Sequence, residues 1–153
     1  MKLPVRYQAA IVQNDHVLLL KVWDHMYTGK TFWLIPGGGR HPDETEEDCV
    51  RREVREETYL EVEVERLLLE EPDIPDGLYE RLKTYVCRII SGDPRPGLEP
   101  EVDTEDRATI TEIRWFDLRD PKTWDSLALN DPITFPRLQQ LRTVLSYISE
   151  ERI

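Results

Sequence analysis

A chain of 153 residues, 39% apolar and 33% charged, has the size and composition of one globular domain with a sizeable core, which excludes a disordered or fibrous protein. Its 31 acidic and 20 basic side chains give a formal charge of -11, and that argues against general affinity for nucleic acid or anionic membrane, both polyanions. Two cysteines, no apolar run of bilayer-spanning length and an N-terminus, MKLPVRYQAA, without a signal-peptide core make a reducing cytoplasm the expected setting.

In chain order, residues 5–22 read as two strands. VRYQAAIV and HVLLLKV are apolar runs, and QND between them supplies turn chemistry. DHMYTGK (24–30) reads as a loop, and TFWLI (31–35) as a β-branched and aromatic strand that stops at Pro36 and three glycines. A helix is predicted over 44–58, capped by Asp43 with Glu46 three residues on, and supported by the i,i+4 pairs Glu47–Arg51 and Asp48–Arg52.

YLEVEVERLLL (59–69) alternates as a strand, and LYERLKTYVCRII (78–90) reads as another after the loop EPDIPDG. Residues 91–106, rich in Pro, Gly and acids, read as a loop. ATITEIRWFDL (108–118) returns to strand character, and 131–148 is a closing helix with Leu138, Leu141, Leu145 and Ile148 at 3–4 spacing. One domain over 1–153 is expected, an α+β fold with helices packed on a mixed sheet. Trp23, Trp33, Trp115 and Trp124 are assigned to the core. His16, His25 and His41 lack zinc-ligand spacing, and the glycines are not a Walker loop.

The stretch from Ile35 to Leu60, IPGGGRHPDETEEDCVRREVREETYL, carries the chemistry. Most acidic helices are solvated faces, and most glycines between strand and helix only make the turn. Here Glu53, Glu56 and Glu57 fall within a wedge of about 100° on one helix face. Like charges at such spacing repel by a few tenths of a kcal/mol per pair, a cost that a divalent cation turns into binding energy. Gly37, Gly38 and Gly39 let the backbone approach a ligand, while Val50 and Val54 give the helix an apolar side to pack on a sheet.

The pattern Gly38, Glu44, Arg52-Glu53-Val54, Glu56-Glu57, closed by Leu60, closely resembles the signature of the Nudix (MutT-like) hydrolases. The preceding Trp33-Leu34-Ile35-Pro36-Gly37-Gly38 and the downstream Arg114-Trp115-Phe116 extend the resemblance over roughly 5–118. It implies a mixed sheet flanked by helices, an α/β/α sandwich, and hydrolysis of a nucleoside diphosphate linked to a group X with Mg²⁺ or Mn²⁺. By matching positions, Gly38, Glu53, Glu56 and Glu57 would hold the metal. Arg52 would orient a glutamate of the helix, and Glu44 would support the loop–helix junction. The general base would be Glu53 or a carboxylate outside the box, with Glu105 and Glu112 ahead of Glu99 and Glu101. Arg6, Tyr7, Gly37 and Arg40, with Tyr27 and Lys30, are the candidate substrate contacts.

One position departs from the signature: Tyr59 stands where the family has glycine. A left-handed tyrosine there costs about 1–2 kcal/mol, so any reshaping is expected at 58–61. The expected partner is a small nucleotide, with no membrane, and the resemblance is compatible with a homodimer. A nucleotide sensor that does not hydrolyse and an RNA 5′-end pyrophosphohydrolase are the rival readings. The three acids oppose the first and the charge of -11 the second. Substrate class stays open between nucleoside triphosphates, ADP-ribose, nucleotide sugars and dinucleoside polyphosphates. Pro75 matches a cue for ADP-ribose hydrolases and Tyr79 one for diadenosine polyphosphate hydrolases.

Overall fold

The computed structural model of the chain describes residues 2–24, 29–75, 77–97 and 109–148. Its strands are β1 (Leu3–Gln13), β2 (His16–Asp24), β3 (Lys30–Leu34), β4 (Gly37–Gly38), β5 (Glu61–Pro72), β6 (Tyr79–Ser91) and β7 (Thr109–Asp117). Helix α1 (Glu46–Thr58) lies between β4 and β5. A 3₁₀ turn (Pro121–Thr123), α2 (Ser126–Asn130) and α3 (Thr134–Val144) follow β7.

β1 organises the sheet. Along one edge it runs parallel to β6, from Leu3 opposite Tyr79 to Ile11 opposite Cys87, and β6 continues antiparallel into β5. On its other edge β1 meets β4 in mid-strand and β2 at its end. The β1–β2 turn places Asn14 and Asp15 at φ 51° and 64°, a conformation that these two residue types tolerate and that suits a tight hairpin. β2 in turn pairs antiparallel with β3 and β7.

Both faces of this mixed sheet are covered, which is why β1 and β2 read as nearly continuous apolar runs. On one face Ala9, Ile11 and Leu18 pack with Cys49, Val50 and Val54 of α1. On the other, Ala10, Val17 and Leu19 pack with Trp33, Phe116, Trp124 and Leu138. There Trp33 meets Phe116 edge-on at 5.0 Å between ring centroids, and Phe116 meets Trp124 at 6.1 Å. The α/β/α layering is the predicted one. Among the described residues no helix is long and apolar enough to cross a membrane.

Several local expectations need correction. The cap of α1 is Thr45, whose hydroxyl accepts the Asp48 amide at 3.1 Å, so Asp43 is not the cap and the helix starts at Glu46. Glu44 is drawn out of the helix because its carboxylate receives the His41 amide and the Arg52 guanidinium. Gly37 and Gly38, where the sequence predicts that strand structure stops, form the short strand β4. The closing helix ends at Val144, where Ser146 turns to φ 72° and the Tyr147 and Ile148 amides fold back on the Arg142 carbonyl. Trp23 is 45% exposed at the end of β2 and is not a core residue.

The departure at Tyr59 does not reshape the chain. Tyr59 takes the left-handed conformation (φ 65°, ψ 19°), and its amide donates to the Arg55 carbonyl. The segment after β6 closes over this helix end. Arg95 and Gly97 donate their amides to the Thr58 and Glu57 carbonyls, and the Arg95 guanidinium lies 4.3 Å from the Tyr59 ring centroid. Otherwise orphaned helix carbonyls are thereby satisfied, and a cation–π contact offsets part of the strain.

Candidate active site

α1 packs against β1, β4 and β5, and its contact with β4 decides where its acids go. Glu53 and Glu57, one turn apart, are only 1% and 2% exposed. Glu57 Oε1 accepts the Gly37 amide at 3.0 Å. Gly38 sits so close to Glu53 that a Cβ on it would fall 2.4 Å from Oε2. Gly37 is equally confined, since a Cβ there would lie 2.6 Å from the Tyr7 carbonyl oxygen and 2.8 Å from the Gln8 Cα. No positive φ is involved at either glycine. The glycines are needed because side chains do not fit between β1 and α1.

Arg52 gathers the acids. Its Nη2 donates to Glu44 Oε1 at 2.7 Å and to the Gly39 carbonyl at 3.0 Å. Its Nη1 donates to Glu53 Oε2 at 3.0 Å and Glu56 Oε1 at 2.9 Å. Hydrogen bonding to Glu44, followed by the charges of Glu53, Glu44 and Glu56, raises the Arg52 pKa beyond its already high ordinary value. In return, the Arg52 hydrogen bonds lower Glu44 to about 2, against a burial effect of opposite sign. A forked guanidinium suits this geometry, because its several donors reach more than one carboxylate at once. The nearby Cys49 thiol is pushed up to about 12, first by burial and then by the Glu53 charge.

As the side chains stand, no three His, Cys, Asp or Glu groups among the described residues converge into a metal cage, because Arg52 engages Glu44, Glu53 and Glu56. The donor set nonetheless has the right chemistry for a hard divalent cation. Glu53, Glu57 and the half-buried Glu56 supply carboxylate oxygens beside a glycine backbone, as Mg²⁺ and Mn²⁺ prefer.

A cleft of about 720 Å³ opens from Gly37, Gly38, Glu53 and Glu57. Its floor is the face of β1 and β6 opposite α1, with Arg6, Gln8, Leu82 and Thr84. Phe32, Leu34 and Ile133 form an apolar wall. Asp73 and Arg137, joined at 2.7 Å, stand on the lining where the β5–β6 loop meets α3.

Of the predicted substrate contacts, Arg6, Lys30 and Gly37 line this cleft. Tyr7 and Arg40 do not. Tyr7 alternates with Arg6 and is buried on the α1 side, with the Lys83 ammonium 6.0 Å from its ring centroid. Arg40 is spent on the loop, where it donates to the Glu44 carbonyl at 3.0 Å. Glu112 is also outside the cleft, held on β7 by Arg114 and Lys21. Glu99, Glu101, Glu105 and Tyr27 lie outside the described residues. Tyr79 lines the cleft and Pro75 does not.

Among the polar and aromatic lining residues that the sequence reading does not single out are Gln8, Thr84, Phe32 and Arg137. Gln8 was legible in principle, because strand alternation puts it on the same face as Arg6. Nothing local marked the others, which reach the cleft only through sheet pairing and the packing of α3.

A family model described as NUDIX domain matches residues 3–136. Among solved structures, the chain is similar to an ADP-ribose pyrophosphatase from Streptococcus suis, with a TM-score of 0.64 and 23% identity over 97% of this chain and 95% of that one. It is similar to a MutT NUDIX hydrolase from Burkholderia pseudomallei, with a TM-score of 0.58 and 27% identity over 92% and 99% of the two chains. A MutT protein from Methanosarcina mazei Go1 shares the fold at a TM-score of 0.62 and 20% identity, over 94% of this chain and 99% of that one. No curated protein matches the sequence.

Proposed function

Because this chain belongs to the Nudix family, we propose that it is a metal-dependent pyrophosphohydrolase that cleaves a nucleoside diphosphate linked to a further group X. The observation that carries this reading is the pair of buried carboxylates, Glu53 and Glu57, set against the Gly37–Gly38 backbone where the cleft begins. Buried carboxylates are costly unless paired or hydrogen-bonded; Arg52 and the Gly37 amide meet part of that need here, and a divalent cation held beside the cleft would add to it.

Glu53, Glu56 and Glu57, with the Gly38 carbonyl, are the proposed holders of Mg²⁺ or Mn²⁺. The bound ion would neutralise phosphate oxygens and acidify water. Arg52 fixes the carboxylates of Glu53 and Glu56, and Glu44 anchors Arg52. Glu53 is the proposed proton acceptor within the box, with Glu105 the alternative outside it. Glu112 on β7, paired with Arg114 and Lys21 and not among the cleft lining, is the less favoured acceptor. Arg6 would meet a phosphate oxygen on the cleft floor.

The apolar wall of Phe32, Leu34 and Ile133 supports a nucleoside or a comparable flat group at one end of the substrate. The test is release of phosphate and nucleotide from nucleoside triphosphates, ADP-ribose, nucleotide sugars and dinucleoside polyphosphates. It is run with Mg²⁺, with Mn²⁺ and with chelator, for the wild type and Glu57→Gln. Metal-dependent cleavage of one class, lost in the variant, is expected. Metal and nucleotide binding without turnover of any compound would favour a sensor instead.

A further inference from the structure

A chain of hydrogen bonds runs across the cleft floor. Arg6 donates from Nε to Gln8 Oε1 at 3.0 Å, and Gln8 donates from Nε2 to Thr84 Oγ1 at 2.8 Å. Gln8 is 6% exposed and Thr84 1%, yet both line the cleft. The order of the chain is dictated by chemistry. A guanidinium can only donate, so the amide must turn its oxygen to Arg6 and its nitrogen to an acceptor, which Thr84 supplies. Arg6 Nη2 donates to the Ile35 carbonyl at 2.8 Å. That leaves Nη1 as the guanidinium nitrogen with no hydrogen bond among the described residues.

The same glutamine is tied to the acidic end of the cleft through the backbone. Gln8 pairs across the sheet with Gly37, and the Gly37 amide binds Glu57. The guanidinium of Arg6 is therefore held in register with the Glu53–Glu57 end by a single residue on β1, two positions along the same strand face.

We propose that Gln8, oriented by Thr84, is a positioning residue that fixes the Arg6 guanidinium as a clamp for a phosphoryl oxygen of the nucleotide. This rests on the reading above and adds to it how the phosphate-binding cation is set. A free arginine side chain samples many rotamers, and immobilising it on binding costs affinity; a neighbour that immobilises it beforehand removes that cost. The bond between a charged donor and a buried neutral acceptor is also stronger than a neutral one. Loss of Gln8 should thus weaken nucleotide binding and leave the step at phosphorus nearly untouched.

The experiment measures ADP affinity with Mg²⁺ by calorimetry. It compares the wild type, Gln8→Met, Thr84→Val, Arg6→Ala and the double variant Arg6→Ala/Gln8→Met, with melting temperature followed throughout. Gln8→Met keeps the length of the side chain and removes its acceptor. It should raise the Kd about tenfold, with Thr84→Val producing a smaller rise in the same direction. In the Arg6→Ala background, Gln8→Met should add nothing further to Kd. On whichever substrate the wild type hydrolyses, KM should rise with kcat within about twofold.

A lower melting temperature with an unchanged ADP Kd would make Gln8 a purely structural residue and overturn the proposal. Additive losses in the double variant would overturn it as well. Should Gln8→Met not fold, Thr84→Val carries the same test. Failure of the wild type to hydrolyse any substrate, with Kd still responding as expected, would count against the hydrolase reading alone. A wild type that does not bind ADP overturns the clamp even where it hydrolyses another substrate.

Discussion

Gly38 and Glu53 are in such close contact that a methyl group on the glycine would overlap the carboxylate, with Cβ 2.4 Å from Oε2 and 2.7 Å from Oε1. The three consecutive glycines are consequently not equivalent. A Cβ on Gly37 would strike backbone atoms of Tyr7 and Gln8, whereas one on Gly39 would meet nothing nearer than the Tyr79 hydroxyl at 3.9 Å.

Alanine substitutions separate the three roles. Gly38→Ala should displace Glu53 and lower Mn²⁺ affinity and kcat/KM by about 10–100-fold, with little loss of stability. Gly37→Ala should break the pairing of β4 with β1 and destabilise the fold by about 1–3 kcal/mol. Gly39→Ala should be close to neutral in both respects. Metal titration, steady-state kinetics and urea denaturation on the three variants check this, and a neutral Gly38→Ala would remove the case for that contact.

The ion pair between Arg52 and Glu44 gives the protein a defined response to acid. Glu44 lies at about 2 in the folded protein against an ordinary 4.5. A carboxyl group with a depressed folded pKa stabilises above its unfolded value, and that stabilisation is lost as the pH falls through the folded one. Discounted for partial exposure, the contribution is about 2 kcal/mol, fully present above pH 4.5 and fading towards pH 2. Glu44→Gln should lower the urea midpoint at pH 7 and flatten its decline below pH 4.5. Parallel curves for the variant and the wild type would show that Glu44 is not the group involved.

How much of this site the sequence reveals depends on the range of the interaction. The acids of α1 and their common face follow from helical periodicity alone, and the glycine run from its place between strand and helix. The cap is harder: Asp43 with Glu46 and Thr45 with Asp48 are equally good local patterns. The tertiary pull of Arg52 on Glu44 selects the second. Strand alternation could have kept Tyr7 apart from Arg6, since adjacent residues of β1 face opposite layers. The far side of the cleft was not legible. Asp73 and Arg137 are 64 residues apart and meet only after β5, β6 and α3 have packed.

Both cysteines should be inert in the native state. Burial, the first cause in each case, pushes Cys49 and Cys87 up to about 12, so almost no thiolate exists near neutral pH. A disulfide-exchange reagent at about pH 8 should label neither until denaturant is added, after which both should react. Labelling of Cys49 in the native protein would mean that the β4–α1 contact opens on the timescale of the assay.

Tyr59 tests the cost of keeping a side chain where a glycine fits better. The left-handed conformation penalises alanine and tyrosine alike by about 1–2 kcal/mol, but only tyrosine recovers part of it through the Arg95 contact. Tyr59→Ala should therefore destabilise by about 0.5–1 kcal/mol, the size of an exposed cation–π contact. Tyr59→Gly loses the same contact and gains unfolded-chain entropy, while its relief of strain is larger, so it should lie within about 1 kcal/mol of wild type. The glycine variant should thus be the more stable of the two by about 1 kcal/mol. Arg95→Ala should cost the wild type about 0.5–1 kcal/mol and the Tyr59→Gly variant much less, because the ring that receives the guanidinium is gone. Urea denaturation of the four proteins and of the Tyr59→Gly/Arg95→Ala double variant measures that coupling. Equal stability of the alanine and glycine variants would mean that the backbone at residue 59 relaxes out of the left-handed region once the tyrosine is removed.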